Sequence, residues 1–375
     1  EGADGWYTDW WNGGKRADPA WESYQLDEVL PQILERYKIR PERGYHALAG
    51  ASMGGLGAAY LGSRLPGFFG SVAIISGLVD FQAVPGSGTA PSLLSYANAG
   101  MAPTDPEAVF GPPGGFYETG HNPPDLAANM AQTRMFMTTG DGTPAPDSTS
   151  ATGGDNAKEG AIIRPTSDNY AAALRAAGVE LVYHVHAGYH DWPNFHNELR
   201  EMVAWGLFKP VDKHATSWVN DTVATHGKLW EFAYRFDAPP DRVVRFQRRG
   251  DILLVGAAGT PVTITTDGGC VIHANTPAEV DVPPAPCQRL SLTVSPTRLR
   301  AGRRGVVRVT VTPAIAGAVV RNGSQSAATD DHGTARLRLC VNPRSRLRIT
   351  ATATNYLPAT ALVRARGTPR RCGRS

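Results

Sequence analysis

The chain has 375 residues, enough for two or three domains and a sizeable core. Only 19% of its residues are charged, below the roughly 25% of an average soluble domain, while 41 glycines and 29 prolines announce many turns. No apolar run approaches the ~18 residues of a membrane-spanning helix, and neither C-x-x-C nor H-E-x-x-H occurs, so neither a metal nor another cofactor is expected.

A short apolar run, Tyr45 to Ala49, leads into Gly50-Ala51-Ser52-Met53-Gly54, and a small-residue stretch ending near Leu65 reads as a helix. A G-x-S-x-G pentapeptide between strand and helix is the layout of a nucleophile elbow, in which flanking glycines let a tight turn push the serine hydroxyl clear of the sheet. The following helix aims its first N–H groups at developing negative charge, which makes the Met53 N–H the natural oxyanion donor.

In such a fold the remaining partners follow in the order acid, then histidine. Two acids compete. Asp141 follows the apolar run Arg134 to Thr138 in Gly140-Asp141-Gly142-Thr143-Pro144, and Asp168 opens a helix running to about Ala177. Glu180 to His186 alternates like a strand and runs into Ala187-Gly188-Tyr189-His190-Asp191-Trp192 before a helix from Asn194 to Leu207. His190 is thus a loop histidine at a strand end, the setting a general base needs. His184 and His186 are alternatives that lie inside the strand and read as sheet-face residues, and His196 reads as a surface or packing residue of the helix.

The helical pattern ends near Lys209-Pro210. Beyond it, Leu229 to Phe236 alternates as one half-buried strand with Trp230, Phe232, Tyr234 and Phe236 on one face. Strands at Val243 to Phe246, Ile252 to Val255, Val262 to Thr266 and Val271 to His273 complete a small β module that ends in the linker Pro283-Pro284-Ala285-Pro286. From Gln288, strands at Leu290 to Val294, Gly305 to Val311, Ala318 to Arg321, Ala335 to Leu339, Leu347 to Ala353 and Ala361 to Arg364 suggest an immunoglobulin-like sandwich. All four cysteines lie in the last third, and the sequence-local pairing is Cys270 with Cys287 and Cys340 with Cys372. An even count in loop-rich β segments points to disulfides and an oxidising compartment.

Residues 1 to about 205 resemble the mycolyltransferases of the antigen 85 complex and their relatives among the esterase D-like α/β-hydrolases. The segments that carry the resemblance are Gly5-Trp6-Tyr7-Thr8-Asp9-Trp10, Trp21-Glu22-Ser23-Tyr24 through Leu30-Pro31-Gln32, the Ser52 pentapeptide, Ala90-Pro91-Ser92-Leu93, Phe110-Gly111-Pro112, Asn122-Pro123, Gly140 to Pro144, and Gly188 to Trp192. In that family the acid is a Glu in a Leu-Glu-Asn-Phe segment, which corresponds to Ser167-Asp168-Asn169-Tyr170, and the family's G-x-G-T-P loop has a neutral residue where this chain has Asp141. The resemblance therefore implies a Ser52, Asp168, His190 triad, with Asp141 as the alternative acid. It also implies an α/β-hydrolase fold that lacks its first strands in this chain, together with the second oxyanion donor. The family's paired cysteines are absent between Asn12 and Pro19.

Three domains are expected: a hydrolase over 1–210, a small β-rich module over 211–287 and a basic sandwich over 288–375. The last carries 17 arginines, no lysine and two acids, or +15, which leaves −12 on the rest of a chain whose net charge is +3. Such asymmetry points to an anionic partner, a cell-wall polymer or a lipid surface, and equally describes ordinary solvated strand faces. Nucleic acid is not expected, for want of a recognition helix or an aromatic-basic platform. The expected activity is that of a secreted serine esterase or acyltransferase passing an acyl group to water or a sugar hydroxyl, and it should survive deletion after about Lys209. The alternative is a cell-surface binding protein on an incomplete hydrolase scaffold.

Overall fold

The computed structural model describes residues 5–16, 18–80, 82, 106–146, 158–211, 215–283, 287–353, 355–367 and 372. The segment Ala90 to Leu93 and most of the Pro-rich linker lie outside the described residues. The chain divides into two compact units, one of residues 1–262 with 275–281 and one of residues 263–274 with 282–375.

The first unit is built on four parallel strands, β1 (Ala47–Ala51), β2 (Ser71–Ile75), β3 (Arg134–Gly140) and β4 (Leu181–His186), in spatial order β1-β2-β3-β4. Every residue of β2 is buried, as expected of a strand covered on both faces. Its alternation sorts the core. Val72 and Ile74 join Met135, Met137, Tyr170, Ala171 and Leu174 on one side, while Ala73 and Ile75 join Phe136, Met202 and Leu207 on the other. Helix α1 (Met53–Arg64) and helix α2 (Arg164–Ala176) cover the first side, and α3 (Trp192–Trp205) covers the second.

Helix α1 is rich in Gly and Ala because it lies very close to the sheet. A Cβ at Gly55 would stand 2.7 Å from Gly77 Cα, and one at Gly62 would stand 2.9 Å from Val72 Cγ2.

The same unit continues into β5 (Ser217–Thr222), β6 (His226–Leu229), β7 (Phe232–Phe236), β8 (Val244–Arg249) and β9 (Ile252–Val255). Residues 229–236 are not one strand. Trp230 adopts φ +57° in a tight turn, and β6 folds back antiparallel onto β7 with Leu229 opposite Phe232. The shared buried face of Phe232, Tyr234 and Phe236 is retained, whereas Trp230 is buried at the hairpin tip beneath the Arg43 guanidinium, 4.8 Å from its ring. Gly67 admits that tip, since a Cβ there would stand 2.5 Å from Trp230 Cα. A further strand at Val262–Thr266, β10, begins at the unit boundary; β11 (Val271–Ala274) belongs to the second unit and β12 (Ala278–Asp281) pairs with β9 in the first.

The second unit is all-β. Its strands are β13 (Gln288–Arg289), β14 (Ser291–Ser295), β15 (Arg298–Arg300), β16 (Arg304–Thr312), β17 (Val319–Asn322), β18 (Gln325–Ala328), β19 (Thr334–Cys340), β20 (Arg346–Thr352), β21 (Tyr356–Leu357) and β22 (Ala359–Arg366). They form a three-stranded sheet, β14-β16-β19, and a five-stranded sheet, β15-β22-β20-β17-β18, with β13 paired to β21. Val307, Val309 and Leu337 from one sheet share a core with Val320, Ile349 and Val363 from the other. Cys270 is bonded to Cys287 and Cys340 to Cys372, the pairing that sequence proximity suggests.

Candidate active site

Ser52 stands between β1 and α1 with φ +56° and ψ −121°, a conformation that L-residues avoid and that persists only where the surroundings enforce it. Those surroundings are visible. The Ser52 N–H donates to the Ile75 carbonyl at 3.0 Å, and the Ser52 carbonyl accepts from Gly55 N at 2.9 Å and Leu78 N at 3.2 Å. Gly50 is obligatory, because a Cβ there would sit 1.9 Å from the Gly54 carbonyl oxygen. Gly54 is not required for the same reason, since its nearest neighbour would be the Tyr7 hydroxyl at 3.5 Å. Met53 is the first residue of α1, so its N–H has no carbonyl a turn behind it.

His190 comes from the loop between β4 and α3. The Asp191 side chain caps α3 by accepting from Asn194 N at 3.0 Å, which fixes the helix start beside the histidine. The imidazole rests edge-on against Phe195, with centroids 5.0 Å apart. Its Nε2 lies 2.8 Å from Ser52 Oγ, and its Nδ1 lies 2.7 Å from Oε2 of Glu159. This pairing fixes the tautomer in which Nδ1–H donates to the carboxylate and Nε2 accepts the serine O–H.

The acid beside His190 is therefore Glu159, and neither Asp168 nor Asp141 occupies that place. Asp168 is on the outer side of α2, where it accepts from Arg164 Nε at 2.9 Å and from the Tyr183 hydroxyl at 2.7 Å. Asp141 shapes its own turn, accepting from Thr143 N at 2.8 Å and Thr143 Oγ1 at 2.6 Å. Glu159 opens a wide helical turn, Glu159–Ile163, directly ahead of α2 and is fully buried. Gly140 leaves room for it, because a Cβ there would stand 3.0 Å from Glu159 Cγ and 2.4 Å from the Gly188 carbonyl oxygen.

The second oxygen of Glu159 is saturated. Oε1 accepts from Gly140 N at 2.8 Å, Thr139 Oγ1 at 2.7 Å and Ser76 Oγ at 2.7 Å, which leaves Oε2 to the histidine. Behind it lies another buried acid, Glu198 of α3, 2.9 Å from Ser76 Oγ and 3.2 Å from Nε2 of His186. The Ser76 hydroxyl has one proton and two carboxyls within reach. Burial raises the Glu198 carboxyl to about 7, so near neutral pH it is partly protonated and can supply the proton that the second of these two contacts needs. The hydrogen bond that His186 Nε2–H donates to the ionised Glu198 carboxylate raises His186 to about 9.

Residues 2–206 match the model of the Esterase family, described as "Putative esterase". The chain belongs to the esterase family. No curated protein sequence gives a significant match. Among solved structures, MPT51 of Mycobacterium tuberculosis is 22% identical, with a TM-score of 0.42, and the match covers 55% of this chain and 73% of that one. An S-formylglutathione hydrolase from Agrobacterium tumefaciens is 16% identical, with a TM-score of 0.40, over 55% of this chain and 63% of that one. FphF of Staphylococcus aureus, titled a fluorophosphonate-binding serine hydrolase, is 15% identical, with a TM-score of 0.38, over 54% of this chain and 68% of that one. The chain thus spans less than two thirds of the S-formylglutathione hydrolase.

Sequence reasoning missed Glu159, Ser76 and Glu198. The available signal for Glu159 was its position between Ser52 and His190, three residues ahead of the apolar pair Ile162-Ile163 that anchors the turn in the core.

Proposed function

We propose that this chain is a serine esterase or acyltransferase that works through an acyl-enzyme, with Ser52 as nucleophile, His190 as general base and Glu159 as the acid that holds the imidazole. The observation that carries this reading is the unbroken contact from Ser52 Oγ to His190 Nε2 at 2.8 Å and from His190 Nδ1 to Glu159 at 2.7 Å, on a strained elbow. His190 takes the hydroxyl proton as Oγ attacks the ester carbonyl, and the buried Glu159 carboxylate stabilises the imidazolium. The Met53 N–H supports the oxyanion. Collapse expels the alcohol, which receives the proton from His190, and water or a sugar hydroxyl then takes the acyl group by the same steps in reverse.

Carboxylic esters with an apolar acyl chain suit this site. Trp192, two residues from His190, is 73% exposed and offers such a chain an indole face at the rim. Mycolyl or other lipid esters of sugars are within that class. Two disulfides in the second unit favour a secreted or wall-associated location, and we read the two facing sheets of that unit as an immunoglobulin-like sandwich.

The test is labelling with a fluorophosphonate probe and mapping of the adduct by mass spectrometry. Modification of Ser52 that is lost in His190→Ala and nearly lost in Glu159→Gln is the expected result. An unlabelled Ser52 in folded protein would sink the enzyme reading.

A further inference from the structure

The five-stranded sheet of the second unit turns Leu299, Val320, Ile349, Ala351 and Val363 inward, and the alternate positions form its outer face. There Arg298 of β15 is in register with Arg364 of β22, and Arg364 with Arg346 of β20. Three guanidinium groups thus stand in one row across three neighbouring strands. Two residues along, Arg300 is in register with Arg366. On the other side of the row, Arg348 is opposite Leu362, and Arg321 of β17 is opposite Thr350, itself opposite Thr360. All seven arginines are exposed. Strand and residue spacings confine them to a patch of roughly 15 by 20 Å.

Like charges directly opposite one another on a sheet destabilise it, and this face supplies no acid in return. Ion pairs of arginine among the described residues, at Arg64, Arg134, Arg164, Arg242, Arg245 and Arg248, all lie in the first unit. Residues 288–375 contain only Asp330 and Asp331 as acids, and Asp330 is spent on the backbone N–H groups of His332 and Thr334. The juxtaposed charges are relieved when an external polyanion lies across the rows.

We propose that this face binds a linear acidic polysaccharide, and so holds the esterase against a carboxylate-bearing glycan. The guanidinium fork matches a carboxylate, and the hydroxyls of Thr350, Thr352 and Thr360 beside the rows suit sugar hydroxyls. A nucleic acid is disfavoured because the single aromatic residue of 288–375, Tyr356, packs on the core and leaves no stacking platform. A membrane is disfavoured because Leu362, 41% exposed, is the one large apolar side chain presented by this face among the described residues, too little to anchor in lipid. The proposal is independent of the ester chemistry.

The test is binding of the full chain to polygalacturonate at low and high salt, beside oligothymidylate and phosphatidylglycerol vesicles. Wild type is expected to bind polygalacturonate most tightly and to lose binding as salt rises. The variant R298S/R346S/R364S should bind at least about tenfold more weakly, while R304S/R336S/R338S on the other sheet, with the same charge change, stays within about twofold. Circular dichroism and esterase turnover check that both variants are folded. Equal loss in the two variants, tighter binding to oligothymidylate or vesicles, or no binding at all would overturn the assignment.

Discussion

At the N-terminal end of α1, Glu159 faces His190, and at its C-terminal end Glu22 faces Arg64. Both carboxylates are buried, yet their partners differ in kind. Glu22 Oε1 lies 2.6 Å from Arg64 Nε, and Oε2 accepts from the Tyr60 hydroxyl at 2.6 Å. Burial is the largest influence on the Glu22 carboxyl and acts to raise it, but the Arg64 charge, the neighbouring His121 and the hydrogen bonds from Tyr60 and Arg64 together outweigh it, so the net displacement is downward. Burial also lowers neighbouring His121 to about 4, so that ring stays neutral near pH 7 and the charge on Glu22 is answered by arginine. Arginine keeps its proton throughout the physiological range, so this pair is a fixed brace. The Glu159 partner is an imidazole, which in the proposed mechanism gains and loses a proton. A buried carboxylate against a permanent cation locks geometry, and one against a titratable ring can support chemistry.

The sharpest way to separate the two sites is to neutralise each acid. Glu159→Gln should lower kcat for a p-nitrophenyl ester by about 10³–10⁴ with little change in unfolding midpoint, because the amide favours the wrong imidazole tautomer. Steady-state kinetics beside a urea titration reads both quantities. Glu22→Gln should do the reverse and cost about 3–5 kcal/mol of stability by stranding the Arg64 charge, while the folded fraction keeps its turnover number. A kinetic loss without destabilisation at Glu22 would erase the distinction.

A smaller effect is expected from Glu198. Its carboxyl is raised from 4.5 to about 7 by burial, and His186 is raised from 6.5 to about 9 by Glu198. Both folded values lie above the unfolded ones, so the folded state holds more protons. The Glu198 contribution is complete below its unfolded pKa and fades as pH rises through about 7, and that of His186 fades towards about 9. Urea midpoints taken from pH 5 to 9 should therefore decline for wild type and flatten in Glu198→Gln. Parallel curves would remove Glu198 from the proton inventory. Smallest of all, Asp168→Asn should change kcat by less than about twofold, since its half-exposed pair with Arg164 is the kind worth little; a large kinetic loss would restore it as the acid.

Ser52 and His190 were legible because their signals are local: a glycine that no other residue can replace at position 50, and a histidine between a strand and a capped helix. The acid was not, because its place depends on where a buried turn passes beneath Gly140. Asp168 had the more familiar helical context, but it follows Glu159 by nine residues, about two and a half turns of regular helix, and so points to the opposite side. The hairpin at Trp230 escaped for a related reason. Two-residue turns are usually announced by Asn or Gly, whereas here a tryptophan is forced into positive φ by the space that Gly67 leaves for it. The esterase family was readable from the order of its motifs, while the two-sheet second unit was readable only as a spacing of short strands.

Arg64 reaches beyond the hydrolase strands. Its NH2 donates to the carbonyl of His226 at 3.1 Å and its NH1 to the Tyr234 hydroxyl at 3.3 Å, so the buried brace is closed by residues that follow Lys209. Activity surviving a cut at Lys209, as the sequence alone suggests, is at odds with that closure. Because a chain is synthesised from its N-terminus, the ribosome must release the stretch from His190 to Tyr234, 44 residues on, before the core around Arg64 can be sealed. Ser52, Glu159 and His190 thus all emerge before the β6-β7 hairpin that completes the buried surroundings of Arg64.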